Sequence, residues 1–142
     1  MNYGLAAAAA LAAIVLYSFW QKKKRLADLK LRLQAGWGSV PTREYSWEEF
    51  ERVSHYFNRR RADCGFYIDD ITWNDLDMDE VFRRVNHTWS SVGEEYLYYL
   101  LRTPFFDKGE AERRNRLISW FQQNQEGRER IELEFCKMGR VR

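Results

Sequence analysis

The feature that most restricts this chain is the uncharged stretch at its start. Tyr3 to Trp20, YGLAAAAALAAIVLYSFW, contains no Asp, Glu, Lys or Arg. As a helix rising 1.5 Å per residue it would span about 27 Å, close to the hydrocarbon thickness of a bilayer. Tyr3 at one end, and Tyr17 and Trp20 at the other, fit the aromatic belts of a membrane interface. QKKKR follows at once. A cleaved signal peptide carries its positive charge before the apolar run, whereas here the basic cluster comes after it. A buried soluble helix is the other alternative, because alanine is only weakly hydrophobic, but no charged residue gives the run a wet face. The expectation is a transmembrane anchor over residues 1–20, Met1 outside and Lys22 to Arg25 in the cytoplasm. The protein would then be a single-pass protein of the cell membrane with its soluble part cytoplasmic.

Charge divides the rest. Residues 21–34 hold Lys22, Lys23, Lys24, Arg25, Lys30 and Arg32 against Asp28 alone. With a formal charge of +2 for the whole chain, residues 35–142 are left mildly acidic. A domain that grips phosphates by itself is clearly basic, so autonomous nucleic-acid binding is not expected. Two prolines and eight glycines in 142 residues favour helix over a many-turned β fold. Cys64 and Cys136 form no CxxC and read as ordinary reduced thiols.

Leu26, Leu29 and Leu33 mark a short amphipathic helix, and Gly36-Trp37-Gly38 and Pro41 end it. Residues 21–45 are thus a basic juxtamembrane helix and a linker. Ser46 and Glu49 form a capping box, with Phe50, Val53 and Phe57 on one face of the helix behind it and Arg59 to Arg61 at its end. Residues 62–78 read as a loop. Asp79 is the expected N-cap of a short helix with Val81, Phe82 and Val85 on one side. Ser91 and Glu94 suggest another capping box, for a helix turning Tyr96, Leu97, Leu100 and Leu101 inward until Pro104 stops it. Asp107 with Glu110 begins the next helix, whose apolar face is Ala111, Leu117, Ile118 and Phe121. Gln122 to Gly127 is a break, and a last helix carries Ile131, Phe135 and Met138. The fold class is all-α.

The acidic cluster YIDDITWNDLDMDEVF, Tyr67 to Phe82, invites a metal reading. As a calcium loop from Asp75, positions 1, 3 and 5 fit, but Glu80 stands where a glycine is needed and Asn86 where a bidentate glutamate is needed. Asp75-Leu76-Asp77 resembles the DxD of an aspartyl-phosphate enzyme but follows no convincing buried strand. His55 and His87 have no ligand partner at metal spacing. GxxxxGK[ST], GxSxG and HExxH are absent. Asn86-His87-Thr88 matches a glycosylation sequon, which a cytoplasmic domain does not use. No catalytic, cofactor or metal site is expected, and the acidic stretch reads as a lead-in loop with helix caps. Ile68, Ile71, Leu76 and Met78 are expected to tie that loop to the core.

The stretch from Ile68 to Asp107 resembles the core, or lever, domain of the MutS family of DNA mismatch-repair proteins. The family's Asp-x-x-Thr matches Asp69 and Thr72, and its following Asn-Leu-Glu-Leu-like segment matches Asp75-Leu76-Asp77-Met78. Its Thr-x-Thr-x-x-Gly, later leucine and closing proline fall on Thr88, Ser90, Gly93, Leu97 and Pro104. Asp75 and Ser90 replace the family's asparagine and second threonine, and Glu95 stands where an arginine is common, which removes any inferred contact to DNA phosphate there. An N-terminal transmembrane segment resembles a divergent bacterial MutS-related group. The resemblance implies that residues 46–142 are the N-terminal part of a MutS-core-like helical domain. Asp69, Thr72, Leu76, Thr88, Ser90, Gly93, Leu97 and Pro104 would be structural motif residues. It also implies a module that relays motion between an ATPase and a mismatched-DNA-binding part. ATP and magnesium belong to an ATPase domain expected to be missing here, so the chain is expected to be no enzyme. DNA would be reached only through missing domains, and a homo- or heterodimer is allowed. The rival reading is a membrane-anchored helical scaffold for protein–protein interaction with no DNA role. Gly93, costly within a helix, is expected to mark close backbone approach by a neighbour.

Overall fold

Alanine, leucine and the long charged side chains are the best helix formers, and they dominate the first 36 residues. They form a single helix, α1, Tyr3–Gly36, with no interruption between the uncharged run and the basic segment. The computed structural model describes residues 3–140, with side chains from residue 11 onward; Met1 and the side chain of Tyr3 lie outside the described residues. The transmembrane expectation for residues 1–20 finds no support there: among the described residues, no helix is long and apolar enough to cross a membrane.

Met1–Trp37 and Gly38–Arg142 are two separate compact units. The second begins at Gly38, whose φ of +76° turns the chain in a conformation glycine adopts freely. It therefore takes in residues 38–45, which the sequence assigns to a linker.

All regular structure among the described residues is helical. In α2, Trp47–Arg60, both halves of the expected capping box form: Glu49 N–H donates to Ser46 Oγ at 3.3 Å and Ser46 N–H to Glu49 Oε2 at 3.0 Å. Val53 and Phe57 are buried, as their spacing predicts. A single 3₁₀ turn, Arg61–Asp63, follows.

The expected loop over residues 62–78 is in part a helix. The side chain of Asp69 accepts the Thr72 N–H at 2.7 Å and so starts α3, Asp70–Asp75. The helix is six residues long, too short to show an apolar period, yet it buries Trp73. Only Leu76 and Asp77 separate it from α4, Met78–Val85. Asp77, at φ +49°, makes that turn and is the N-cap, not Asp79. Aspartate tolerates the left-handed region better than most residues. Asp79 instead accepts the Trp73 indole N–H at 2.8 Å and joins α4 to α3. Ile68 and Met78 pack on the core, whereas Ile71 and Leu76 are exposed and do not tie the segment down.

In α5, Ser91–Arg102, the cap is Ser90, not Ser91: its hydroxyl accepts the Gly93 N–H at 3.2 Å. The third helical position is then Gly93, so no capping box exists and Glu94 is free to turn inward. The buried face of α5 is Glu94, Tyr98 and Arg102, four residues apart. Leu97 and Leu101 lie beside it against the core, but Tyr96 is half exposed. The apolar stripe does not reveal these two charged side chains, whose heads find partners inside. α5 ends two residues before Pro104.

Asp107 caps α6, Lys108–Gln123, by accepting the Glu110 N–H at 2.7 Å. The expected break at residues 122–127 shrinks to Asn124, which closes α6 and caps α7, Gln125–Met138, through the Gly127 N–H at 2.8 Å. Gly127 lets the two helices meet, since a Cβ there would stand 2.5 Å from the Trp120 ring. The predicted apolar face of α6 is not buried: Leu117 and Ile118 are each 54% exposed. On α7, Phe135 and Met138 are exposed and Leu133 is the buried apolar residue.

The core is Val53, Phe57, Trp73, Phe82 and Tyr98, with Tyr45, Phe50, Ile68, Met78, Leu97, Tyr99 and Leu101 against it. Burial of a large apolar side chain contributes about 1.5–3 kcal/mol. The aromatic rings meet edge-on or tilted, the arrangement their quadrupoles favour: Phe82 and Tyr98 at 6.0 Å, Trp73 and Tyr98 at 4.8 Å.

Candidate functional site

Glu94, 5% exposed, is a buried carboxylate in the first turns of α5. A carboxylate so placed must be paired and hydrogen-bonded. The Arg43 guanidinium and the Tyr45 hydroxyl, at 2.9 Å, donate to its Oε1 atom, and Arg140 Nε pairs with the same oxygen at 2.6 Å. Arg43 also holds Glu49 at 2.6 Å and lies over the Tyr45 ring. The Ser46 backbone N–H and Arg43 keep the Glu49 carboxyl below the ordinary glutamate range. Burial, then Glu94, pushes the Tyr45 hydroxyl up to about 12, so it stays a proton donor at neutral pH. Asn86, also buried, donates from Nδ2 to the Tyr45 hydroxyl and accepts the Thr88 N–H at 3.0 Å. Arg43 and Tyr45 were assigned to a linker by sequence. Their partner Glu94 stands 51 and 49 residues away, beyond what local spacing signals.

The residues that carry the MutS resemblance fall into separate groups. Thr88, Ser90 and Gly93 come together. A Cβ on Gly93 would meet Thr88 Cβ at 3.0 Å and Ser90 Oγ at 3.3 Å. The close approach expected at Gly93 is thus present, but a threonine side chain and the helix's own cap make it rather than a neighbouring backbone. Asp69 and Thr72 form the α3 cap. Leu97 lies against the core, and Leu76 is 57% exposed. Glu95 lies 4.0 Å from Arg59.

Pro104 lines an open groove of about 580 Å³ with Phe66, Tyr99, Phe105 and Phe106. Phe66 and Phe106 meet edge-on at 5.4 Å, and Arg114 lies over the Phe105 ring. Cys64 also lines this groove. Cys64 lies 3.9 Å from the Tyr99 hydroxyl, which is itself shifted up. Both cysteines are free thiols.

A second buried charge, Arg102, was also missed from sequence. Its guanidinium donates to the Tyr98 hydroxyl at 2.7 Å and to the Ile68 carbonyl at 3.0 Å, and pairs with Asp70 at 2.9 Å. It sits 4.2 Å from the Trp73 ring centroid. The contacts to Ile68, Asp70 and Trp73 tie the end of α5 to the α3 segment, a structural use of charge. Among the described residues, no group of three or more His, Cys, Asp or Glu side chains is placed to hold a metal ion.

The chain matches no protein-family model, and neither a curated protein nor a solved structure is significantly similar to it.

Proposed function

We propose that this protein is a membrane-associated, non-enzymatic helical module of the kind its resemblance to a MutS core implies, one that holds or relays between partners. The observation that carries this reading is the use made of the motif residues. Asp69, Ser90 and Gly93 serve capping and close packing, as Thr88 does beside them. Membrane association rests on the uncharged run Tyr3 to Trp20 and the basic cluster behind it. DNA and ATP would enter only through other domains, because residues 35–142 are mildly acidic and contain no P-loop. The rival scaffold reading draws on the exposed apolar side chains of α6, Leu117, Ile118 and Trp120, which suit a protein partner.

The full chain, reconstituted in nanodiscs, is the material to test. We expect no ATP hydrolysis, and no binding to a labelled mismatch duplex tighter than about 10⁻⁴ M at physiological salt, the weak end of non-specific affinity. Micromolar anisotropy binding that fades steeply with salt would overturn the non-binding part. Recovery of the expressed protein in the soluble fraction at physiological salt, with none on the membranes, would overturn the membrane part.

A further inference from the structure

We propose that the α6–α7 hairpin, residues 107–140, is a detachable arm latched to the α2–α5 core by Arg140. This does not rest on the MutS or membrane readings.

The central aromatic cluster is complete without the hairpin, whose buried apolar side chain, Leu133, lies outside it. No member of the central cluster, and no residue packed against it, belongs to α6 or α7. α6 buries no residue at all. Two of the three buried positions of α7 are engaged with α6 itself: Gly127 faces the Trp120 ring, and Arg128 donates to the Phe121 carbonyl at 2.7 Å. The near end of the hairpin is joined to α5 by the non-helical residues 103–107, a natural pivot.

The far end is where the arm is held. After α7 the chain turns at Gly139, φ +67°, and the Gly139 carbonyl accepts the Ser91 N–H at 3.3 Å. Arg140 then donates to the Thr88 carbonyl and pairs with Glu94. All of these contacts fall on the start of α5 and the turn before it.

The latch can open at small cost because of how Glu94 is satisfied. A carboxylate oxygen offers about two lone-pair directions, and Arg43 and Tyr45 already hydrogen-bond Oε1 of Glu94, leaving Arg140 with an ion pair only. When Arg140 leaves, Arg43 and Tyr45 still neutralise and bond the carboxylate. Breaking a buried ion pair is expensive when it strands a charge. Here none is stranded, since the departing guanidinium already has a side chain 31% exposed and swings into water. Arg43 and Tyr45 are the permanent partners and Arg140 the exchangeable one. Opening uncovers the Thr88 carbonyl, the Ser91 N–H and one approach to Glu94 together.

Hydrogen exchange read by mass spectrometry on the full chain tests this with Arg140→Ala and Arg43→Ala. Arg140→Ala should speed exchange across α6 and α7 by about tenfold while α2 and α5 stay within twofold of the parent. Isolated helices of this length are marginal in water, so a released arm loses protection. Arg43→Ala should instead speed exchange in α2 and α5. If Arg140→Ala loosens the core as much as the hairpin, the two are one cooperative unit and the proposal fails. It fails equally if Arg140→Ala changes no region, or if Arg43→Ala leaves α2 and α5 as protected as before.

Discussion

α2 and α6 are helices of similar length, 14 and 16 residues, and each starts with a well-formed side-chain cap. α2 buries Val53 and Phe57 against α5, whereas α6 leaves Leu117 and Ile118 more than half exposed. Capping and propensity decide that both are helices. Burial depends on a second helix lying alongside, and α6 lacks one within the core. The core region therefore has a stability set by packing, and the hairpin one set by its caps and its two attachments.

The sharpest way to break this contrast is to cut one large side chain from each region. Phe82→Ala removes a fully buried ring and should cost about 3–5 kcal/mol. Ile118→Ala should cost no more than about 0.5 kcal/mol, as exposed positions do. Urea titration of the full chain followed by circular dichroism would measure both. Comparable losses would mean that the α6 face is covered in solution.

A smaller difference is expected between two glycines. Gly93→Leu pushes into Thr88, which Asn86 holds in place, and should cost about 1–3 kcal/mol of core stability. Gly127→Ala meets the tip of Trp120 and the Asn124 cap, and should cost about 1 kcal/mol, confined to the hairpin. The comparison would be reversed if Gly127→Ala lowered the main unfolding midpoint and Gly93→Leu did not.

The caps give the smallest effect. Ser90→Ala should lose about 1 kcal/mol from the global transition, because α5 is the helix against which the core is built. Asn124→Ala removes a similar bond but should leave the global midpoint unchanged and raise exchange only around residues 120–130. A global loss from Asn124→Ala would merge the two regions into one.

What the sequence made legible follows the range of the interactions. The Ser46 box and the Asp107 cap act within four residues, and both were readable. So was the all-α class. Where two candidate caps stood close together, spacing chose wrongly: Ser91 over Ser90, Asp79 over Asp77. In the first case the glutamate that completed the pattern was needed elsewhere. α3 was missed because six residues cannot display a helical period. The Glu94 cluster was invisible for a different reason: its partners come from residues 43, 45 and 140, and a charged residue on a helix normally signals a wet face.

The setting of Trp73 has an optical consequence. The chain has six tryptophans, and Trp73, 2% exposed, has its indole N–H tied to Asp79 and a guanidinium against its ring. Trp20, Trp37, Trp47 and Trp120 are all at least 42% exposed, and Trp89 is half-buried. Trp73 should therefore emit at the blue edge of the protein's fluorescence and resist quenching by iodide or acrylamide. Light collected there would follow the α3–α5 junction without any added label.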